Sequence, residues 1–299
     1  DLGHMPLDCG KDALIEDVHE MRKTVSARFS RKTPYFIFGH SMGSFVTRVY
    51  LSEHAQGVQG AIICGTGNQP ALLARSGNLL AHTIGTVMGE RYKSKVLDSM
   101  GAGGFARAIE DPRTSLDWIS VDPAVVDAYI DDPLCGVMFT VGGYAALTGV
   151  VSRAVDPRVA ARVPKDLPLL FIAGAEDPVG ENGKAVVRAV ELYRDAGVKD
   201  VSLILYPGMR HEILNEPGKQ TVYADVLVWL YEHCEQLFSL GSSEPRLEDE
   251  RALAKQAQFL LVTPKSTRKP RQECRTQSGA LNDRGTCERR CEDIGAELH

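Results

Sequence analysis

At 299 residues with 43% apolar content, the chain is long enough to bury one large core or two modest ones. A net charge of −5 makes no case for nucleic acid or an anionic membrane as a general partner. The 7 cysteines are an odd number, and Cys9, Cys64, Cys135 and Cys234 stand singly with no disulfide or zinc spacing, so a reducing cytoplasm is the default compartment. Cys64 and Cys135 sit among apolar neighbours and read as small buried hydrophobes.

In chain order, residues 1–12 are loop-like, with Gly3, Pro6 and Gly10. Apolar Leu14, Val18, Met21 and Val25 then recur at helical spacing over Asp12–Phe29. Pro34 breaks that helix, and Tyr35-Phe36-Ile37-Phe38 predicts a strand. The strand runs into Gly39-His40-Ser41-Met42-Gly43 and then an apolar helical stretch from Phe45 to Leu51. Gly-x-Ser-x-Gly between a strand and a helix is the pattern of a nucleophile elbow. Such a turn strains the serine, and side chains two positions either side would collide with neighbouring backbone, which is the reading given to Gly39 and Gly43. In return the turn lifts Oγ clear of the sheet and aims a helix N-terminus at the reacting carbonyl.

Ala61-Ile62-Ile63-Cys64-Gly65 is a short apolar run typical of a buried parallel strand. Helix, strand, helix, strand is the alternation of an α/β sheet. It stops at residue 68. Residues 68–152 read as helical, with weakly charged runs at Pro70–Gly89 and Cys135–Val151. These are either helices buried all round or the walls and cover of an apolar pocket. Asp111, Asp117, Asp122, Asp127, Asp131 and Asp132 between them read as solvated surface and helix caps.

Alternation resumes with the strand Pro168–Gly174, followed by Ala175-Glu176-Asp177-Pro178-Val179 and a helix over about Asn182–Ala196. A further strand, Val201–Tyr206, ends at Pro207-Gly208-Met209-Arg210-His211-Glu212. The last amphipathic helix covers about Gln220–Phe238, with Val222, Val226, Trp229, Leu230 and Cys234 on its apolar stripe. From 241 to 299 large apolar residues are few and charges many, with a basic cluster at Lys265, Arg268, Lys269, Arg271 and Arg275. Cys274, Cys287 and Cys291 fit no zinc pattern, and the stretch reads as a disordered tail.

A serine needs a base within hydrogen-bond reach, and the base needs an orienting carboxylate. In an open parallel sheet, reacting groups collect in loops at the carboxyl ends of strands. Of the 8 histidines, only His211 occupies a post-strand loop after both other members. Asp177 competes with Glu176 for the carboxylate role and is favoured because Pro178 stiffens the chain behind it. Met42 is singled out for its backbone N–H, one donor of an oxyanion hole. No cofactor or metal is called for.

Together, Gly39-His40-Ser41-Met42-Gly43, Gly174-Ala175-Glu176-Asp177-Pro178-Val179 and Gly208-Met209-Arg210-His211-Glu212 resemble the signatures of the monoacylglycerol lipase/lysophospholipase group of α/β hydrolases, also classed with serine aminopeptidase-type proteins. Asp117-Trp118-Ile119-Ser120 and Asp131-Asp132-Pro133-Leu134-Cys135-Gly136 resemble the cap of its bacterial branch. The resemblance covers about residues 12–238. It implies an α/β fold with a parallel α/β-hydrolase sheet and the triad Ser41, Asp177 and His211. It also implies a helical cap inserted after the strand at 61–65, and with the composition of the chain the expected division is core at 1–67, helical cap at 68–152, core at 153–240 and tail at 241–299. The implied activity is serine ester hydrolysis of monoacylglycerol or lysophospholipid-like acyl esters through an acyl-enzyme. The partner is then a small-molecule acyl ester or lipid, with transient membrane-surface contact through the cap compatible with it.

Family members carry further strands before the elbow strand, with a His-Gly motif supplying the second oxyanion donor. Nothing before Tyr35 reads as that motif, so the expectation is a member lacking its N-terminal portion. The alternatives to lipid-ester hydrolysis are therefore a catalytically impaired family member acting as a binding or non-functional fragment, or thioesterase, acyltransferase or aminopeptidase chemistry.

Overall fold

The computed structural model describes residues 2–234. The 241–299 stretch, with its basic cluster and three cysteines, lies outside the described residues. Four strands form one sheet in the order β1-β2-β3-β4: β1 is Phe36–His40, β2 Gly60–Cys64, β3 Leu169–Gly174 and β4 Val201–Tyr206. All three pairings are parallel, with Phe38 opposite Ile62, Ile62 opposite Leu170, and Leu170 opposite Ser202. Every residue of β2 and β3 is buried, as their unbroken apolar runs predict.

The pleat sorts these residues onto two faces. Ala61, Ile63, Leu169 and Phe171 join the core with Phe45 and Val49 of α2 (Met42–His54) and Val186, Val190 and Tyr193 of α8 (Lys184–Asp195). Ile62, Cys64, Leu170 and Ile172 face the other way, onto Val222 and Trp229 of α9 (Lys219–Glu232). Trp229 meets Phe36 edge-on at 6.0 Å. Three layers result, and the carboxyl ends of all four strands open on the same edge.

β1 pairs with β2 on one side and with no strand among the described residues on the other. Phe38 is accordingly 40% exposed. Helix α1 (Gly10–Ser26) begins two residues before its predicted start, and Ile15 is its most buried side chain. Leu14 and Val18 pack against the core, whereas Met21 and Val25, expected on the same stripe, are exposed. The helix packs on α2 and α6 (Val141–Ala154), and its second half meets α2 through polar side chains, with Arg22 donating to the Tyr50 hydroxyl and the His54 carbonyl, so that Met21 and Val25 stay exposed.

Between β2 and β3 the chain forms α3 (Ala71–Met88), α4 (Lys95–Met100), a 3-10 segment at Ala102–Ala108, α5 (Pro123–Asp131) and α6. α3 is not buried all round: Leu72 is 81% exposed, and Leu73, Leu79, Val87 and Met88 are exposed with it. Its other face, with Ala74, Ala81 and Gly85, packs on α6 through small residues. α6 carries no formal charge before Arg153, and its Val150 and Ala154 enter the main core. A short α7 (Pro157–Ala160) then leads into β3. Cys64 is buried as expected, and Cys135 is only half-buried because it lies in the open turn after α5. Asp122 caps α5 through Ala124 N–H at 2.9 Å. Asp117, by contrast, is buried and accepts from Arg113 N–H and the Thr114 hydroxyl, both at 2.6 Å.

Candidate active site

Ser41 follows β1 directly and is the N-cap of α2, with φ 54° and ψ −121°. Positive φ in a residue with a side chain is strained, and the surroundings hold it there. Ser41 N–H donates to Cys64 O at 3.0 Å, and the Ser44 hydroxyl and N–H both return to Ser41 O, at 2.6 and 2.9 Å. The two elbow glycines differ. A Cβ at Gly39 would run into Thr47 Oγ1 and the Gly43 carbonyl, whereas one at Gly43 would meet nothing within 4 Å. The collision expected on both sides of the serine therefore exists on one side only, where the chain folds back from strand to helix.

As the first residue of α2, Met42 presents an N–H for which the helix itself offers no acceptor. Such an N–H at a helix start is suited to an anion.

Asp177 stands in the turn after β3 and His211 in the loop after β4; their side chains are 0% and 2% exposed as residues. His211 Nδ1 lies 2.9 Å from Asp177 Oδ2, and Asp177 Oδ1 accepts from Val179 N–H at 2.9 Å. The carboxylate is thus held at both oxygens. The two loops are tied together by Ala175 N–H to Tyr206 O and Glu176 N–H to Met209 O. At Gly174 a side chain would strike the Met209 and Arg210 carbonyls, so the bare residue is what lets the loops meet. Glu176, the rival of Asp177, has no hydrogen bond to His211.

The His211 ring is packed between His40, at 4.7 Å, and Trp118, at 5.1 Å between centroids. His40, the residue before the serine, approaches His211 O through Nε2 at 3.2 Å and Glu212 through Nδ1 at 3.9 Å. Burial, and then the neighbouring His211, push the His40 imidazole below its ordinary range. A neutral His40 places no cation beside the His211 ring. His211 Nε2 is buried without a hydrogen-bond partner. The Ser41 hydroxyl is therefore not bonded to it in this state, and serine–base contacts of this kind tighten when substrate binds.

Trp118 and Arg48 contribute to the site without a local signal in the sequence. Trp118 belongs to a cap-like tetrapeptide whose spacing does not place it against His211. Arg48, on the apolar helix α2, is fully buried and donates to Gly67 O at 2.7 Å, Asn68 Oδ1 at 2.8 Å and Ala154 O at 2.8 Å. It fixes the segment that leaves β2 beside the elbow. Among the described residues no cluster of His, Cys, Asp and Glu could hold a metal ion, and no helix is long and apolar enough to cross a membrane.

A parallel sheet with an elbow serine at the end of β1, and an aspartate–histidine pair at the ends of β3 and β4, places the protein in the α/β-hydrolase class. The profile of the family described as serine aminopeptidase, S33 matches residues 10–218, and the chain belongs to that family. It is 29% identical over 225 residues to the monoacylglycerol lipase of Mycolicibacterium smegmatis, covering 74% of this chain and 71% of that protein. To the monoglyceride lipase of Saccharomyces cerevisiae it is 24% identical, covering 72% of this chain and 66% of the relative. A thermostable carboxyl esterase from Bacillus coagulans, solved in complex with glycerol, superimposes with a TM-score of 0.68 at 30% identity, covering 74% of this chain and 71% of the other.

Proposed function

We propose that the chain is a serine ester hydrolase acting on monoacylglycerol or lysophospholipid-like acyl esters, with Ser41 as nucleophile, His211 as base and Asp177 as its orienting carboxylate. The observation that carries this is the buried 2.9 Å contact of His211 Nδ1 with Asp177, in the loops that flank a strained elbow serine. Asp177 holds the proton on Nδ1 and leaves Nε2 free to accept. Ser41 Oγ attacks the acyl carbonyl and passes its proton to His211 Nε2. The Met42 N–H, with the positive end of α2, stabilises the oxyanion. Collapse expels the alcohol, which takes the proton back from His211. Water then repeats the sequence on the acyl-enzyme and releases the acid.

The 68–152 stretch would act as a cap, with the exposed leucines of α3 supplying an apolar surface for the acyl chain or for transient contact with a lipid surface. The names of the mycobacterial and yeast relatives and the glycerol bound in the bacterial esterase support a glyceride ester over a peptide as substrate. The test is labelling by a fluorophosphonate and turnover of a p-nitrophenyl ester series and of monoacylglycerol, beside Ser41→Ala. Labelling and turnover that vanish in the variant support the assignment; comparable labelling of the variant, or hydrolysis of aminoacyl amides in preference to esters, overturns it.

A further inference from the structure

Glu216 lies outside the Ser–His–Asp set, yet its side chain is among the most buried charges in the molecule, at 0% exposure. Its carboxylate meets only donors. Oε1 accepts from Arg210 N–H at 2.8 Å and Val121 N–H at 3.1 Å; Oε2 accepts from the Ser120 hydroxyl at 2.8 Å and Val121 N–H at 3.2 Å. Arg210 binds the same loop from the other side, its Nη1 donating to Asp117 O at 2.6 Å and Ser120 O at 3.1 Å. Glu212 N–H adds a bond to Ile119 O at 2.7 Å. The residues on both sides of His211 are therefore fastened to 117–121, and that loop presses the Trp118 ring against the imidazole.

We propose that Glu216 is a positioning residue for His211: its carboxylate locks the 117–121 loop to the 210–212 backbone and so sets the histidine ring between Trp118 and His40. This rests on the Ser41–His211–Asp177 reading. A charge is suited to the task because bonds from neutral donors to a carboxylate are shorter and stronger than neutral pairs. Burial forbids water from replacing a lost partner, so each oxygen must keep its donors. A glutamine cannot reproduce this pattern in either orientation. With its amide nitrogen at the Oε1 place it faces Arg210 N–H, donor against donor. With the nitrogen at the Oε2 place, Val121 N–H keeps the oxygen, but the Ser120 hydroxyl, which already accepts from Asp122 N–H at 3.0 Å, must turn to accept a second bond and gives up its own acceptor.

The test compares wild type, Glu216→Gln and Ser120→Ala as full chains. Turnover of a p-nitrophenyl ester is expressed per site titrated by the fluorophosphonate, and the low-field proton resonance of the His211–Asp177 bond is recorded by NMR. That resonance does not depend on turnover. Glu216→Gln is expected to lose on the order of 10–100-fold in kcat per titrated site, with KM nearly unchanged, and to shift or broaden the resonance. Ser120→Ala, which removes one donor, is expected to move both readouts the same way by less; if Glu216→Gln does not fold, this variant alone decides. A folded variant with wild-type kcat per site and an unmoved resonance overturns the proposal. Fluorophosphonate labelling of Ser41→Ala at the wild-type rate would instead sink the triad reading, and the positioning role with it.

Discussion

Asp177→Asn probes the site with the smallest change of shape. In the native protein one carboxylate oxygen faces His211 Nδ1 and the other faces Val179 N–H, each at 2.9 Å. An asparagine has one acceptor and one donor for these two places. If its oxygen keeps His211, its NH2 group faces the Val179 N–H in a site closed to solvent, at a cost of about 1–3 kcal/mol for the orphaned donors. If its NH2 group faces His211, the imidazole must carry its proton on Nε2 and can no longer take one from Ser41. In either orientation the negative charge that steadies the imidazolium is gone. A loss of roughly 10⁴ in kcat is expected, by the size of this effect in triads generally, equivalent to about 5.4 kcal/mol in barrier. The assay is the burst and steady-state release of p-nitrophenol, with thermal melting to show that the variant is folded. A folded Asp177→Asn variant within about tenfold of wild type would refute the orienting role.

Other outcomes follow from the same structure. Arg48→Met leaves the Gly67 and Ala154 carbonyls without their guanidinium donors, and should lower unfolding free energy by about 2–5 kcal/mol, read from urea midpoints. Gly39→Ala should destabilise by about 1–3 kcal/mol through the clash with Thr47 and Gly43, while Gly43→Ala should melt near wild type. Asp156, hydrogen-bonded to Arg158 and paired with Arg75, has its carboxyl lowered to about 2. Because the folded value lies below the unfolded one, its stabilisation is full above pH of about 4 and is lost as pH falls through about 2. Exposure of both arginines screens the pair, so about 1 kcal/mol should separate wild type from Asp156→Asn at neutral pH, narrowing to nothing in acid.

Much of the architecture was legible because its signals are local. Ile62-Ile63 and Leu170-Phe171-Ile172 announce buried parallel strands by having no polar face, and such strands require helices on both sides. Ser41, Asp177 and His211 could be named as candidates because each follows such a strand, and strand ends in a parallel sheet share one edge. Chain order alone put them on the same rim.

Tertiary packing decided the rest. Pattern marks Met21 and Val25 as core, yet among the described residues α1 finds nothing to cover them, and the α3 leucines face out for the same reason. An amphipathic stripe states which residues a helix could bury, not whether a neighbour is there. Arg48 and Glu216 are the reverse case. A charge in sequence reads as surface, and only the folded chain shows three donors converging on one carboxylate, or carbonyls of distant segments converging on one guanidinium. Such convergence joins residues up to 106 positions apart, which no local period encodes. Sequence alone determined which groups stand at the strand ends; the angle at which His211 meets them was decided by loops that touch only once the chain is folded.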